Sequence, residues 1–204
     1  MSFDPRILVE TQQTLVSGGV VLLATDTVLG LVALPSDSTA VDKVYALKKR
    51  PRDKNLPIIV ASADQITAFG GQISPSARAC LNSKHMPGPL TIAIELQTEI
   101  APSWLSGRAE CAIRIPDDAL LLALLTNLGP LMATSANLSG RDTPHTTDEA
   151  VIQLNGTPDY VVAGQAKSQA PSTLVNCRIS PPKIERIGAV SEAEIAAILE
   201  RAND

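Results

Sequence analysis

The sequence predicts an α/β fold, on three observations. Short apolar runs at residues 20–24, 31–34, 56–61, 91–96, 112–115 and 131–133 have strand length and turn signals at their ends. Between several of them lie segments that open on a helix-capping residue and repeat apolar side chains near helical spacing. Some runs also stop in Thr, Ser, Asn and Gly, whose short polar groups favour turns by competing for nearby backbone bonds. Such strand-end loops are where α/β sheets bind ligands.

The chief loop of this kind is Thr134-Ser135-Ala136-Asn137-Leu138-Ser139-Gly140, after the run ending in Leu131, Met132 and Ala133. Gly140, with no Cβ, is expected to let the backbone close on a ligand. Alone, the stretch reads better as a polar strand-to-loop junction, and the rest of the chain shifts that balance.

At 204 residues the chain is expected to form one domain, residues 1–204, with a full hydrophobic core. That core must be aliphatic, because only one Trp, two Tyr and two Phe are present. So few aromatics argue against a base-stacking surface, and a net charge of -4 gives no global nucleic-acid signal. Cys80, Cys111 and Cys177 are far apart and form no Cys-x-x-Cys pair, so neither a zinc site nor a disulfide framework is indicated. Isolated His85 and His145 read as surface or loop residues. Residues 1–10 lack the apolar core of a secretory signal, and the longest apolar run, 119–125, falls short of the ~20 residues that span a bilayer. The expected location is the cytoplasm, without membrane contact.

In chain order, Asp4-Pro5 reads as an N-cap with proline in the first turn of a helix that runs to about Val16 and stops at Ser17-Gly18-Gly19. Two strands, 20–24 and 31–34, flank the polar loop Thr25-Asp26-Thr27. Asp37 or Ser38 caps a helix to about Lys48, which leads into Lys48-Lys49-Arg50-Pro51-Arg52-Asp53-Lys54. Cations at a helix C-terminus suit its dipole, and Pro51 turns the chain, so this patch is expected at an exposed turn. The same groups could cradle an anion, lysine as a point charge and arginine as a planar fork. Further on come a strand at 56–61, a helix from Ser74-Pro75 to about Lys84, a rigid Pro87-Gly88-Pro89 turn, and a strand at 91–96. The strand at 112–115 carries Arg114, which needs an acidic or phosphate partner if it points inward. A leucine-rich helix follows from Asp118 to about Asn127. Thr146 with Glu149 and Ser191 with Glu194 fit capping boxes for a short helix to about Leu154 and a last helix to about Arg201. Strands at 160–163, 173–176 and 183–187 lie between them, the last bearing Arg186.

Seven short motifs, taken together, resemble the YrdC/Sua5 family of threonylcarbamoyl-AMP synthases, in their short TsaC type. They are Thr25-Asp26-Thr27 with Gly30-Leu31, Lys48-x-Arg50-Pro51, Pro87-Gly88-Pro89-Leu90-Thr91, Arg114-x-Pro116, Thr134-Ser135-Ala136-Asn137 with Ser139-Gly140, Ser172-Thr173, and Arg186-x-Gly188. The chain departs from the family where Ala24 stands for the usual Pro, Leu29 for an aromatic, and Ile59 for a His of longer members.

The resemblance implies an α/β, YrdC-like domain: a twisted mixed parallel and antiparallel sheet flanked by helices around an open concave cleft. It implies a nucleotidyltransferase that joins L-threonine, bicarbonate or CO2 and ATP into threonylcarbamoyl-AMP, releasing pyrophosphate, with Mg²⁺. The product would serve N6-threonylcarbamoyladenosine formation at tRNA position 37, through a downstream tRNA threonylcarbamoyl transferase complex of the TsaD/TsaB/TsaE type. By the family pattern Lys48, Arg50, Ser135 and Asn137 form the catalytic set. These four, with Thr143 and Arg186, would hold ATP, while Thr27, Ser172 and Arg114 would hold threonine. No Ser-His-Asp or Cys-His arrangement is indicated, so positioning and charge neutralisation would carry the reaction. The alternative is an RNA-binding YrdC-like protein acting in ribosome or rRNA maturation without nucleotide turnover.

Overall fold

A computed structural model describes residues 3–200. Asp4 caps the first helix, α1 (Pro5–Val16), by accepting from Arg6 N at 2.9 Å. The apolar run beyond the glycine stop forms β1 (Val21–Leu23), which turns back antiparallel into β2 (Gly30–Ala33), Val21 opposite Val32. Asp37 caps α2 (Ser38–Lys48) through Ala40 N at 2.9 Å. Next come β3 (Ile58–Ile59), α3 (Ala63–Ala68), α4 (Pro75–Leu81), β4 (Leu90–Glu95) and β5 (Glu110–Arg114). The C-terminal half adds α5 (Ala119–Leu128), β6 (Leu131–Ser135), α6 (Thr147–Gln153), β7 (Tyr160–Val161), β8 (Thr173–Asn176), β9 (Lys183–Arg186) and α7 (Glu192–Glu200).

Among the described residues, all nine strands join one mixed sheet in the order β7-β1-β2-β6-β3-β5-β4-β8-β9. Helices cover both faces, as the aliphatic strands require. On one face Leu15 of α1 and Leu120, Leu121, Leu124 and Leu125 of α5 pack on Val21, Leu23, Val32, Ile59 and Leu131. On the other, Val44 of α2, Ile66 of α3, Ala77 of α4, Ala150 of α6 and Ile195 of α7 belong to a larger core around Leu22, Leu31, Ile58, Ile92 and Val175. The fold is thus the α/β, mixed-sheet architecture that the sequence predicts.

The differences have local causes. The strand expected at 56–61 pairs regularly only at Ile58–Ile59; around it Ala133 N reaches Pro57 O and Val60 N reaches Arg114 O, each at 3.0 Å. β6 runs two residues further than its apolar run, because Thr134 and Ser135 pair with Leu31 and Gly30. A ladder partner here outweighs the turn preference of Thr and Ser. Helix α3, six residues long, is an element the sequence patterning does not mark, and its N-cap Ser62 makes no side-chain bond. The expected end of the last helix, Arg201, lies outside the described residues. Among those residues no helix is long and apolar enough to cross a membrane.

Candidate active site

Sheet register gathers the site. Side chains alternate along a strand, and paired residues share a face. Gly30 pairs with Ser135, Val32 with Ala133, and Ile59 with Arg114, so all six share one face of the sheet. Continuation of the β4–β5 register places Thr91 opposite Arg114 on that face. Leu121 of α5 covers the apolar end, while the Thr25–Gly30 hairpin loop, Arg50, Pro171, Ser172 and Arg186 build the walls. Together they line one open cleft. Arg50, Arg114 and Arg186 line it and, among the described residues, no carboxylate does.

The hairpin loop is held by its own hydroxyls. Thr25 Oγ1 donates to Val28 O at 2.7 Å and accepts from Thr27 N at 3.0 Å. With that proton spent, Thr27 is the donor across the 3.1 Å contact between the two hydroxyls. Arg114 Nη1 then donates to Thr27 Oγ1 at 2.9 Å, and its Nε to Gly88 O at 2.9 Å. Arg114 Nη2 also sits 2.6 Å from Asp26 Oδ1, an ion contact off hydrogen-bond alignment, so neither buried Asp26 oxygen has an aligned donor. The acidic partner that an inward Arg114 needed is therefore Asp26. Thr27, its proton spent, keeps one acceptor position for a ligand.

On the opposite wall Arg186 donates to Ser172 O from Nε at 3.1 Å and Nη2 at 2.8 Å. Its Nη2 reaches Ser172 Oγ at 3.2 Å, and that oxygen lies 2.6 Å from Thr91 Oγ1. Gly188 makes this approach possible: a Cβ there would sit 2.1 Å from Pro171 O and 2.6 Å from the Ser172 carbonyl carbon. Although much of the Arg186 side chain is exposed, desolvation of its guanidinium and then the charges of Arg114 and Arg50 push its pKa down. Arg50 donates to Lys54 O and Asn55 O, each at 2.9 Å, and partial burial lowers its pKa as well. Three like charges held this close call for a polyanion between them.

The structure corrects the reading of the basic patch. Lys48 is not at an exposed turn; it is 2 % exposed, in the last turn of α2. Its Nζ donates to Ser135 O, to Asn137 O at 2.7 Å and to Asn137 Oδ1 at 3.4 Å. An ammonium has three N–H groups, so all are taken. Burial, and then Arg50, push its pKa down to about 7. Arg52 is tied to Asp42 at 2.5 Å and stacks 4.5 Å over the Tyr45 ring, leaving Arg50 as the residue of the patch that lines the cleft.

Ser135 and Asn137 are engaged with the protein as well. Asn137 is buried and does not line the cleft. Its Nδ2 donates to Leu138 O at 2.9 Å and Arg141 O at 2.7 Å, while Oδ1 accepts from Ser135 Oγ at 2.5 Å. The side-chain protons read as donors for phosphate are thus spent inside the loop, although Ser135 lines the cleft. Thr143 lies off the cleft, its hydroxyl 3.5 Å from Gln169 O. Gly140, at φ 83°, is an exposed turn glycine that a Cβ would not crowd. His85 is also half-buried rather than free, 3.4 Å from Glu194.

Of the residues expected in the site, Thr27, Arg50, Arg114, Ser135, Ser172 and Arg186 meet at one cleft, and Lys48 and Asn137 stand behind its wall. Leu29 and Ile59, where the chain departs from the family pattern, line it as well. Sequence reasoning missed Thr91, which the Pro87–Thr91 motif contained without a role, and Asp26, whose carboxylate backs Arg114.

Comparison with known proteins adds the following. The Sua5_yciO_yrdC family model, described as "Telomere recombination", matches residues 13–188. The chain is 32% identical over 199 residues to the threonylcarbamoyl-AMP synthase of Bacillus subtilis (strain 168), covering 96% of this chain and 57% of that protein. It is 32% identical over 171 residues to a putative threonylcarbamoyl-AMP synthase of Methanocaldococcus jannaschii, covering 83% of this chain and 80% of that one. A crystal structure of P. abyssi Sua5 complexed with L-threonine superposes with a TM-score of 0.85 at 27% identity, over 97% of this chain and 58% of that one. The chain therefore spans a little over half the length of the Bacillus subtilis and P. abyssi proteins.

Proposed function

This chain belongs to the Sua5/YciO/YrdC family, and from that premise we propose that it is an L-threonylcarbamoyladenylate synthase. Residues 1–204 act in this reading as one YrdC-like domain, since all nine strands share a sheet. The observation that carries the proposal is the cleft itself: among the described residues three guanidiniums and no carboxylate line it, beside a hydroxyl-rich loop. Relatives that carry the activity in their names, and one seen with L-threonine, supply the substrates.

The nitrogen of L-threonine adds to CO2, or to bicarbonate with loss of water, giving a carbamate. A carbamate oxygen then attacks the α-phosphorus of ATP; the new O–P bond forms as the bond to the β-phosphate oxygen breaks, and pyrophosphate leaves. Two anions must meet, so the protein's task is to place positive charge beforehand in a partly dry cleft. Arg50 and Arg186, in its walls, take the triphosphate. Arg114, with Thr27 and Ser172, takes the amino acid: a guanidinium suits its carboxylate, and Thr27 can accept from its ammonium or hydroxyl. Lys48 and Asn137 hold the Ser135 loop from behind the wall, without touching phosphate.

Mg²⁺ would enter with ATP and neutralise phosphate charge. Among the described residues no group of three His, Cys, Asp or Glu side chains could hold a metal, so its ligands would come chiefly from the phosphates. The product would pass to a tRNA threonylcarbamoyl transferase complex for position 37, in the cytoplasm. The deciding experiment is pyrophosphate release from ATP with and without L-threonine and bicarbonate. Release that needs both supports the proposal; turnover indifferent to threonine overturns it.

A further inference from the structure

Thr91 has no role in the reaction as written, yet the residue is 4 % exposed and lines the cleft, and its hydroxyl lies 2.6 Å from that of Ser172. Counting protons leaves one donor of the pair for the cleft. Two hydroxyls carry two protons, and one is spent between them. Arg186 donates to Ser172 Oγ and occupies one of its lone pairs. If Thr91 donates to Ser172, both lone pairs of Ser172 are filled and its own proton points to a third acceptor. Among the described residues no protein acceptor takes that proton. The acceptor then has to come from the cleft. A hydroxyl that accepts from a guanidinium and from another hydroxyl is polarised, which makes it a stronger donor to an anionic oxygen.

We propose that Thr91 is a positioning residue: it donates to Ser172 so that the Ser172 hydroxyl donates to an anionic oxygen of the bound amino acid, its carboxylate or the carboxylate formed on its nitrogen. This rests on the synthase reading above and extends it to a residue that reading leaves idle. Sheet register makes the arrangement rigid. Thr91 sits in β4 beside β8, with Leu90 opposite Thr173, so the loop bearing Ser172 is fixed to the strand bearing Thr91. The Thr173 hydroxyl, the other of the Ser172-Thr173 pair, is instead consumed: it donates to Val190 O at 2.6 Å and accepts from Gly188 N and Val190 N. The two neighbouring hydroxyls thus divide the work, one anchoring the chain and one facing the ligand.

The test is Thr91→Val, which keeps the shape and removes the donor, beside Thr91→Ser, which keeps the hydroxyl. L-Threonine binding is measured by titration calorimetry, and pyrophosphate release is followed against threonine and against ATP. Thr91→Val is expected to weaken threonine binding and raise its KM roughly tenfold, the size of one hydrogen bond to a charged group, with the KM for ATP unchanged. Thr91→Ser is expected to restore threonine affinity. In a Ser172→Ala background Thr91→Val is expected to add little. Equal threonine affinity in wild type and Thr91→Val would overturn the proposal, as would a matching rise in both KM values. If Thr91→Val does not fold, Thr91→Ser and Ser172→Ala decide: loss of threonine affinity in Thr91→Ser equal to that in Ser172→Ala also overturns it. Wild-type protein that binds no threonine would instead refute the synthase reading.

Discussion

Lys48 and Arg50 stand two residues apart and carry the same formal charge, yet they belong to different regions of the molecule. The wall behind the cleft is saturated: every Lys48 N–H, both Asn137 amide protons and the Ser135 hydroxyl proton end on protein acceptors. The rim is not. A guanidinium has five N–H groups, and Arg50 uses two of them on Lys54 O and Asn55 O. Arg186 likewise bonds through Nε and Nη2, leaving Nη1 unengaged. The cause is geometric. Lys48 ends α2 pointing inward among buried carbonyls, whereas the chain has turned by Arg50 and its fork reaches the open side. A cation with all donors spent sets the shape of a site; one with donors to spare binds what enters.

The sharpest way to break this comparison is to remove each cation in turn. Lys48→Met leaves carbonyls of Ser135 and Asn137 without their donor in a buried setting. Each unsatisfied group costs about 1–3 kcal/mol, so a loss on the order of 3 kcal/mol is expected, or roughly 6–12 °C in melting temperature, together with activity. A Lys48→Met protein that melts like wild type would place Lys48 in the same class as Arg50. Arg50→Ala is expected to shift stability by no more than about 0.5 kcal/mol while lowering kcat by about 10²–10³, as for other lost transition-state donors. Thermal melts and pyrophosphate release measure both. Thr27→Val comes next, with an expected rise in threonine KM of about tenfold and a smaller rise for ATP. An equal change in both would move Thr27 out of the amino-acid side of the cleft.

What the sequence made legible follows the same line. Helix starts were readable where a cap is local: Asp4, Asp37, Ser74, Asp118 and Thr146 all make the side-chain bonds their types imply. The strand runs were readable from apolar patterning, but their ends were not, since partners elsewhere in the chain decide them, as Gly30 and Leu31 do for Ser135 and Thr134. Motifs named most of the residues that converge on the cleft. They could not tell which polar groups are spent, because that depends on acceptors about ninety positions away, such as Asn137 O for Lys48. Thr91 was hidden for the same reason, as its partner Ser172 lies 81 residues on.

Proton linkage gives the most specific expected effect. Burial lowers the Lys48 pKa from an ordinary 10.5 to about 7. Below about pH 7 the group is protonated folded and unfolded alike, and its burial cost is carried in full. Between about 7 and 10.5 the unfolded chain still binds that proton while the folded protein increasingly does not. Stability rises with pH wherever the unfolded state binds more protons, so this residue contributes a positive slope across that window. The neutral amine keeps two N–H donors, so much of the wall survives the loss of charge. Urea unfolding of wild type and Lys48→Met at pH 7, 8 and 9 isolates the effect, because other titrating groups cancel in the difference. The expected result is a wild-type stability that gains on the variant with rising pH. A difference that is flat or falls would mean that the three carbonyl-type acceptors keep the ammonium charged, and that the wall is held by a full ion rather than by a lysine poised near neutrality.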